Sequence, residues 1–393
     1  MKAIHLEEEK GVALILSMLL LLVVTLIGIS ALNTSTYDIL ISGNERTSVQ
    51  AFYVAEAGIN EFMGRFRDGA TNEITDSDPA NPNWKVLLAK YPGQGATRMG
   101  YGSGDSNSTS SLQNQLDFGV EIKHKIDAAN QVVKYGGVPV YILKSYGSTA
   151  EGGNKLLEVE VIKSPGYDPP AALYSEMPVG IRGSSIHING RDSCGTSNKP
   201  GVISMTTLVP PITESGSPSI EGSPPEVTRT SIPPQTTLPL KEMIDYLKGD
   251  AHFKYSFNEN QTLTGYSEGW GTPDRIETTI PMTYAGPMNI VYFNLRGTKT
   301  LKLAGDSHGA GILLIEGNLE IDGNFAWYGV ILATGSVAFT GRGQKNVTGG
   351  IMSEKQATIE TDESAGIMYC STISEKLKEI IPASKISRWR EIF

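Results

Sequence analysis

Residues 12–32 read VALILSMLLLLVVTLIGISAL, an uninterrupted run without a charged side chain. At about 1.5 Å per helical residue the run reaches about 31 Å, and a bilayer hydrocarbon core is about 30 Å thick. A secretory signal normally has a shorter apolar region of about 7–15 residues that ends in a cleavage site of small residues. The run therefore predicts a single transmembrane helix.

The residues after this run keep the period of an amphipathic helix. Between Asn33 and Phe66 the apolar side chains recur largely at spacings of three and four, and no proline occurs between Val12 and Arg67. We therefore expect one helix over residues 12–66, of which residues 12–32 cross the membrane. Residues 1–11 precede it as a short charged leader.

The leader and the helix resemble a known family over roughly residues 7–66. Gly11 stands directly before the apolar run, and residues 41–59 read ISGNERTSVQAFYVAEAGI. Together they are similar to a class III (type IV prepilin) signal followed by the PilX N-terminal domain of minor pilins. The resemblance implies cleavage after Gly11 by a prepilin peptidase and N-methylation of Val12. It also implies three kinds of partner: the prepilin peptidase, other pilins and minor pilins, and the inner-membrane pilus assembly platform.

The resemblance further implies an assembly role for one set of helix residues, namely Leu16, Phe52, Ala55, Glu56, Ala57 and Gly58. Most pilin-like proteins carry a Glu five residues into the mature chain, where this sequence has Leu16. In the family that carboxylate is thought to neutralise the terminal amine of a neighbouring subunit. We therefore hypothesise that this chain enters the fibre first, at its tip, where no earlier amine awaits neutralisation.

Composition bounds the rest of the chain. A length of 393 residues predicts about two globular parts beyond the helix, and 43 Gly with 21 Pro indicate many turns and short strands. The formal net charge of −9, without clustered Lys or Arg, argues against a nucleic-acid surface. The expected fold class is α+β, with a mainly-β carboxy-terminal domain.

Residues 67–116 are rich in Gly, Asn, Ser, Asp and Pro and predict a loop-rich linker. Residues 117–165 then alternate like a small antiparallel meander that packs on the amphipathic helix. Its three expected strands are Phe118–Lys125, Val138–Tyr146 and Leu156–Ile162. Glu158 and Glu160 fall at alternate positions, which predicts a solvated face.

A repeat marks the carboxy-terminal half. Segments starting at Leu301, Leu319 and Val337 share the pattern apolar, x, apolar, x, Gly at steps of 18 residues, and Ala357 continues it. Two short strands per 18–21 residues predict a β-solenoid over residues 171–369. The alternative is an antiparallel sandwich with accidental spacing. The segment Ile186–Gly190 is predicted to be an earlier rung, with residues 191–287 as an insertion.

Within that insertion, the Pro-rich segment Leu208–Leu240 predicts an extended surface loop, because proline cannot pair inside a central strand. A short helix is expected at Leu240–Lys248. Residues 370–393 are expected to form a helical cap and tail, with a helix at Ser374–Ile381 that covers the last rung.

Cys194 and Cys370 are the two cysteines, and an extracytoplasmic location permits a disulfide. If the rungs that start at residues 186, 301, 319, 337 and 357 stack in that order, the outer two lie about 19 Å apart, beyond the bridging limit of about 7 Å. An insertion that folds back could close the gap. The sequence leaves the bond open.

Catalytic and cofactor patterns are weak. The five histidines do not occur at metal-ligand spacing, and no HExxH or paired CxxC motif is present. Because solenoids host sugar-cleaving enzymes, Asp306, Glu320 and Asp322 could be read as acid and base, but outward polar positions of rungs explain them better. We expect no enzyme activity, no cofactor and no metal.

The resulting hypothesis is a minor pilin of a type IV pilus that helps to initiate assembly at the tip and contacts surfaces there. Its precursor would cross the inner membrane once, with the bulk extracytoplasmic, and the mature form would lie in the pilus at the cell surface. The alternatives are a tip pseudopilin of a type II secretion system and a membrane-anchored β-solenoid adhesin. Genomic neighbourhood would separate the first two.

Overall fold

The computed structural model describes residues 8–65, 85–89, 97–98, 106–107, 116–231, 235–265, 269–274, 278–296 and 298–392. Most of the predicted leader and of the predicted linker lies outside these residues. The chain divides into two compact units. The helix unit comprises Met1–His124, Tyr141–Val161 and Ile386–Phe393, and the β unit comprises Lys125–Val140 and Ile162–Lys385.

The helix unit begins with α1 (Glu8–Arg65), a helix of 58 residues. This is about 87 Å of continuous helix, which confirms the predicted long amino-terminal helix. The first strands after it are β1 (Lys85–Ala89), β2 (Thr97–Arg98), β3 (Ser106–Asn107), β4 (Leu116–His124), β5 (Lys134–Tyr135), β6 (Val138–Thr149) and β7 (Asn154–Lys163).

The remaining elements belong mostly to the β unit. The first are β8 (Leu173–Ser175), β9 (Val179–Gly183), β10 (Ile186–Asn189), β11 (Val202–Ser204), β12 (Ile212–Gly216), β13 (Ser219–Glu221), β14 (Glu226–Thr228), α2 (Leu240–Leu247) and a 3-10 turn (Lys248–Asp250). Next come β15 (Phe253–Ser256), β16 (Gln261–Thr264), β17 (Asn289–Asn294), β18 (Thr300–Glu316), β19 (Asn318–Ala333), β20 (Val337–Thr340), β21 (Lys345–Ser353), β22 (Ala357–Glu360) and β23 (Ala365–Met368). The last described elements are α3 (Ser371–Leu377) and β24 (Ser384–Ile392).

The sheet of the helix unit has the order β1-β4-β6-β7-β24, and β4 is antiparallel to both β1 and β6. Alternate residues of β7 are buried, and Leu157, Val159 and Val161 belong to one apolar cluster with Ile59 and Phe62 of α1. Period-two side chains of the strand thus meet one face of the helix. The small sheet packed on the helix is present as expected.

Two expectations fail in this sheet. The tail is not helical after α3, because residues 384–392 form the edge strand β24 beside β7. Glu158 is 7% exposed and pairs with Arg390, while its other oxygen lies 3.6 Å from Lys144 Nζ. The prediction of a solvated face is therefore wrong for Glu158, because Arg390 of β24 pairs with it.

The β unit is built on a sheet of sixteen strands, counted among the described residues. Leu301 lies beside Leu319, and Leu319 lies beside Val337, in parallel register. Ala357 and Val179 continue the same row, and all five side chains are at most 1% exposed. The steps of 18 residues therefore set the register as expected. Parallel pairing rules out the antiparallel alternative for these strands.

Three glycines inside paired strands let β18, β19 and β21 lie close together. Gly311, Gly329 and Gly349 lie side by side with φ angles of +115°, +148° and +136°. A Cβ on Gly329 would lie 1.8 Å from the carbonyl oxygen of Gly311. Only glycine combines this backbone conformation with that approach.

The predicted order of rungs is wrong. The early strand β10 pairs with β23, and β9 pairs with β22, so the amino-terminal strands of the unit add to the last strands. The strands β15 and β16 pair instead with β17 and β18. The chain therefore passes from one end of the strand order to the other between β14 and β15.

The predicted insertion over residues 191–287 is also wrong in extent. It contributes six strands, β11 to β16, to the parallel sheet. Within the Pro-rich segment, β12, β13 and β14 each pair on one side only, with β9, β10 and β11. Proline-flanked strands tolerate this position, because an edge strand needs only half of its backbone hydrogen bonds.

The two short helices α2 and α3 pack against strands of the large sheet. Helix α2 buries Leu240, Ile244 and Leu247, and its bounds match the predicted helix within one residue. Helix α3 contacts β19 and β21, which lie inside the sheet order, so the predicted role as an end cap is wrong. Ala326 and Leu332 of β19 belong to the same buried apolar cluster as Ile373 and Leu377 of α3.

Candidate assembly site

The amino-terminal half of α1 is apolar and uncovered. Its large apolar side chains between Val12 and Leu32 are 44–70% exposed. The most apolar 18-residue window of the segment Val12–Asn60 has a mean hydropathy of 3.0, and none of that window is buried in the chain. By length and composition this helix can cross a membrane, which is compatible with a single-pass anchor. An apolar surface of this size requires lipid or other helices to cover it.

Two hydroxyl groups in this half are satisfied within the helix. The hydroxyl of Ser17 donates to the carbonyl of Leu14 at 2.8 Å, and the hydroxyl of Thr25 donates to that of Leu22 at 2.8 Å. Such bonds keep these two hydroxyls satisfied when water is removed. Ser17 and Thr25 are therefore suited to an apolar environment.

Three of the predicted site residues lie at the start of this surface. Gly11 is helical, and Val12 and Leu16 are exposed, with 68% of Leu16 accessible. A carboxylate at the position of Leu16 would cost about 2.5–3.5 kcal/mol at the centre of a membrane on insertion scales. Leu16 removes that cost and leaves the segment without an ionisable group.

Ala55 and Gly58 face the sheet of their own chain. A Cβ on Gly58 would lie 2.4 Å from Ser145 Oγ, and a Cβ on Gly147 would lie 2.4 Å from the nitrogen of Ala55. Small residues on both elements therefore let α1 lie very close to β6. This contact is made inside the chain, so the assembly role of Ala55 and Gly58 stays a prediction.

Phe52, Glu56 and Ala57 are half-buried on the flank of the same helical segment. The ring of Phe52 lies 6.3 Å from the ring of Trp389 on β24, measured between centroids. No pattern local to either residue predicts this contact. Its one available signal was the spacing of Arg388 and Arg390, two residues apart, which matches that of Glu158 and Glu160.

Cys194 and Cys370 form a disulfide with a Cα–Cα distance of 5.1 Å. The separation of about 19 Å expected from stacking in sequence order is wrong, because each cysteine follows one of two directly paired strands, β10 and β23. The bond therefore joins the early part of the β unit to its late part across 176 residues.

The carboxylates considered for catalysis are part of the outer surface. Lys302 Nζ lies 2.9 Å from Glu320 and 2.7 Å from Asp322, on two successive strands. Both contacts raise the pKa of the Lys302 ammonium group and keep the three charges paired. Asp306 is exposed within β18. Among the described residues, no group of three or more His, Cys, Asp and Glu could hold a metal ion.

Two carboxyl groups of the β unit, those of Glu176 and Glu354, have raised pKa values. Burial, followed by the charge of Glu354, raises the pKa of Glu176 to about 7, against the opposing charge of Lys355. Burial also raises the pKa of Glu354. The two carboxyls lie at the ends of the paired strands β8 and β21.

The geometry shows a long helix with an uncovered apolar half and a packed half on a small antiparallel sheet. Residues 10–60 match a family model described as PilX N-terminal. This match confirms the resemblance of the amino-terminal segment to PilX-type minor pilins, and it covers the apolar run together with most of the packed half of α1.

Comparison with other proteins adds little beyond this segment. No curated protein matches the chain. One of the solved structures that match is the crystal structure of the competence-associated pilin ComZ from Thermus thermophilus. It is 13% identical, the alignment covers 88% of this chain and 97% of that chain, and the TM-score is 0.24. At that TM-score the two structures are too different for one to inform the other.

Proposed function

We propose that this protein is a minor pilin of a type IV pilus. As a precursor it crosses the inner membrane once through α1 and holds its bulk outside the cytoplasm, and as a mature subunit it lies in the pilus at the cell surface. The observation that carries this proposal is the PilX N-terminal match on a helix whose apolar side chains are uncovered. In the fibre, neighbouring helices replace lipid around these side chains.

Maturation consists of hydrolysis of the Gly11–Val12 peptide bond by a prepilin peptidase, followed by N-methylation of Val12. The new terminus then begins directly with the apolar run, because every residue from Val12 to Leu32 is uncharged. The leader and its charges stay behind in the cytoplasm. The assembly platform in the inner membrane then moves the helix from lipid into the fibre.

The mature subunit occupies the tip of the fibre. Leu16 takes the place at which most pilin-like proteins carry a Glu that pairs with a neighbouring terminal amine. A subunit without this carboxylate has no ionic partner for an earlier subunit. It is best suited to enter first, when no earlier subunit is present, and so to help initiate assembly.

The β unit is the part displayed at the tip. We infer that its parallel strands form a β-solenoid, since rows such as Leu301, Leu319 and Val337 stack in register at 18-residue steps. The disulfide and the paired outward charges stabilise it outside the cytoplasm. Its role is structural and adhesive, with no catalytic reaction and no cofactor.

Immunogold labelling of fibres from the native host tests this function. Wild-type protein is expected only at fibre ends, and the variant Leu16→Glu is expected along the shaft as well. Wild-type label along the whole shaft would contradict the tip position. Complete absence of the protein from purified fibres would contradict the minor-pilin function itself. The variant Leu20→Ala serves as a control, since Leu20 lies in the same apolar run.

A further inference from the structure

The outward surface of one row of parallel strands in the β unit is polar. The row has the order β18, β19, β20, β22, β9 and β12, and the amino-terminal parts of β18 and β19 take part in it. Ile359 of β22 and Ile181 of β9 belong to the buried core. Because successive side chains of a strand alternate, the residues next to them point outward. We call this outward surface, from Lys302 on β18 to Ser215 on β12, the polar face.

A notch interrupts the polar face at Gly180. Gly180 lies in register between Thr358 of β22 and Thr213 of β12. Adjacent strands are about 4.8 Å apart, so the backbones of the two threonines are about 9.6 Å apart across the glycine. A cavity of about 350 Å³ lies here, and Arg182 and Glu360 also line it. We call this cavity the Gly180 notch.

Packing within the chain does not require a glycine at this position. A Cβ on Gly180 would meet Thr213 Oγ1 at 3.6 Å, which is an ordinary van der Waals distance. Gly180 also does not have the positive φ angle that Gly329 has. Glycine weakens the interior of a strand, and it often marks a place where a ligand or another backbone approaches closely. Among the described residues, no backbone of another strand comes within 4 Å of this Cβ position, so a ligand is the occupant that remains.

The walls of the Gly180 notch offer both hydrogen-bond donors and acceptors. Arg182 donates from Nε to Ser215 Oγ at 3.3 Å and from Nη1 to Glu360 Oε1 at 3.3 Å. A guanidinium has five N–H donors, so Arg182 can bond a ligand while it keeps both contacts. The side chains of Arg182 and Glu360 are 70% and 53% exposed, and the hydroxyls of Thr213 and Thr358 can each donate and accept. Adjacent hydroxyl groups of a sugar ring, which also donate and accept, match these walls.

The charge of the polar face favours an uncharged ligand. Its charged side chains are Lys302, Glu320, Asp322, Arg182 and Glu360. Both cations are already paired with carboxylates, and one carboxylate is in excess. Glu214 of the edge strand β12 adds a further carboxylate beside the notch. An anionic ligand would therefore meet like charge, whereas a neutral one would not.

We propose that the Gly180 notch binds one ring of a neutral hexose chain, whose hydroxyl groups bond to Arg182 and Glu360. This inference rests on the adhesive part of the proposed function and names the class of its ligand. The ring stands edge-on between Thr358 and Thr213, because the notch is one side chain deep and two strand spacings wide. Its remaining hydroxyls face solvent, since β12 is the last strand of the row.

The test measures binding of the purified full-length protein to immobilised cellohexaose, maltohexaose and mannohexaose, in a detergent without a sugar head group. Saturable binding to at least one of these neutral chains is expected. Arg182→Ala is expected to lower the affinity about tenfold, which corresponds to one hydrogen bond to a charged group. Gly180→Val is expected to abolish binding, because its side chain fills the notch. Ala338→Val is the matched control: it adds a side chain of the same kind to the polar face, two strands from Gly180, and is expected to bind like the wild type.

The outcomes separate this site from the minor-pilin function. Gly180→Val is expected to unfold no earlier than the wild type, because valine favours strands; should it unfold earlier, Arg182→Ala decides, since that side chain is largely in solvent. Binding to none of the three chains, binding that both variants leave unchanged, or stronger binding to hexagalacturonate, an anionic chain, would overturn the sugar site. Label at fibre ends without sugar binding removes the site alone. Sugar binding by a protein that is absent from fibres removes the minor-pilin function alone.

Discussion

Two regions of this molecule are rich in apolar side chains but differ in what covers them. Between Val12 and Leu32 the large apolar side chains of α1 are mostly exposed, whereas the row from Leu301 through Leu319 to Val337 is buried within the chain. Apolar content therefore predicts that side chains need a covering surface, but it does not predict whether the same chain, lipid or another subunit supplies that surface. The β unit finds its partners in its own next strand, and α1 must find them in lipid or in other subunits.

A matched pair of truncations gives the largest expected contrast. Leu319→Ala is expected to lower the free energy of unfolding by about 2–5 kcal/mol, because Leu319 is 1% exposed and the change leaves a cavity. Leu20→Ala removes the same atoms from a side chain that is 67% exposed, and a change below about 0.5 kcal/mol is expected. Urea unfolding of the detergent-solubilised chain measures both. Equal losses of unfolding free energy in the two variants would contradict the difference in burial between the two regions.

The disulfide gives the next largest effect and acts on the β unit alone. Replacing both Cys194 and Cys370 by Ser is expected to cost about 2–4 kcal/mol, since the bond closes a long loop in the unfolded chain. Near-ultraviolet circular dichroism during denaturation reports on the β unit. Reduction of the wild-type protein should reproduce the effect. A variant as stable as the oxidised wild type would show that the bond adds nothing.

Two glycines of α1 sharpen the contrast within a single helix. Gly58→Val is expected to cost about 1–3 kcal/mol, because its Cβ would lie 2.4 Å from Ser145 Oγ. Gly43→Ala meets no atom within 4 Å and is expected to stabilise the helix by up to about 1 kcal/mol. Thermal unfolding measures both variants. Destabilisation by Gly43→Ala would mean that the exposed half already has a close neighbour.

The smallest expected effect is a dependence on pH that is confined to the β unit. The folded-state pKa of Glu176 is about 7, above the ordinary value of 4.5, so its contribution is fully present below about pH 4.5 and is lost as the pH rises through 7. Glu176→Gln is expected to stabilise the protein by about 1 kcal/mol at pH 8, after allowance for solvent screening, and by almost nothing at pH 4.5. Unfolding curves at the two pH values measure this difference. An equal gain at both values would contradict the role of burial.

Much of this fold follows from local sequence rules. The apolar run and the period after it predict α1 to within a few residues, and the recurrence at Leu301, Leu319 and Val337 gives the parallel register correctly. These features depend on neighbours close in sequence or on an even spacing. Such signals are visible in one chain.

Features that depend on distant segments could not be read in this way. The pairing of β10 with β23, and with it the short distance between Cys194 and Cys370, depends on the crossing that the chain makes between β14 and β15. The edge strand β24 finds its place beside β7 through charges some 230 residues away, such as Arg390 with Glu158. For the candidate site, the sequence indicated the exposed half of α1, but no local pattern indicated that Trp389 lies beside Phe52.

The central claim is that α1 leaves the membrane without its leader and is buried among sister helices. The most direct measurement is mass spectrometry of the amino-terminal peptide of this protein in purified fibres and in the inner membrane. We expect a fibre form that begins with N-methylated Val12 and a membrane precursor that still carries Gly11. A protein that is found only in the membrane, with its first eleven residues attached, would contradict it.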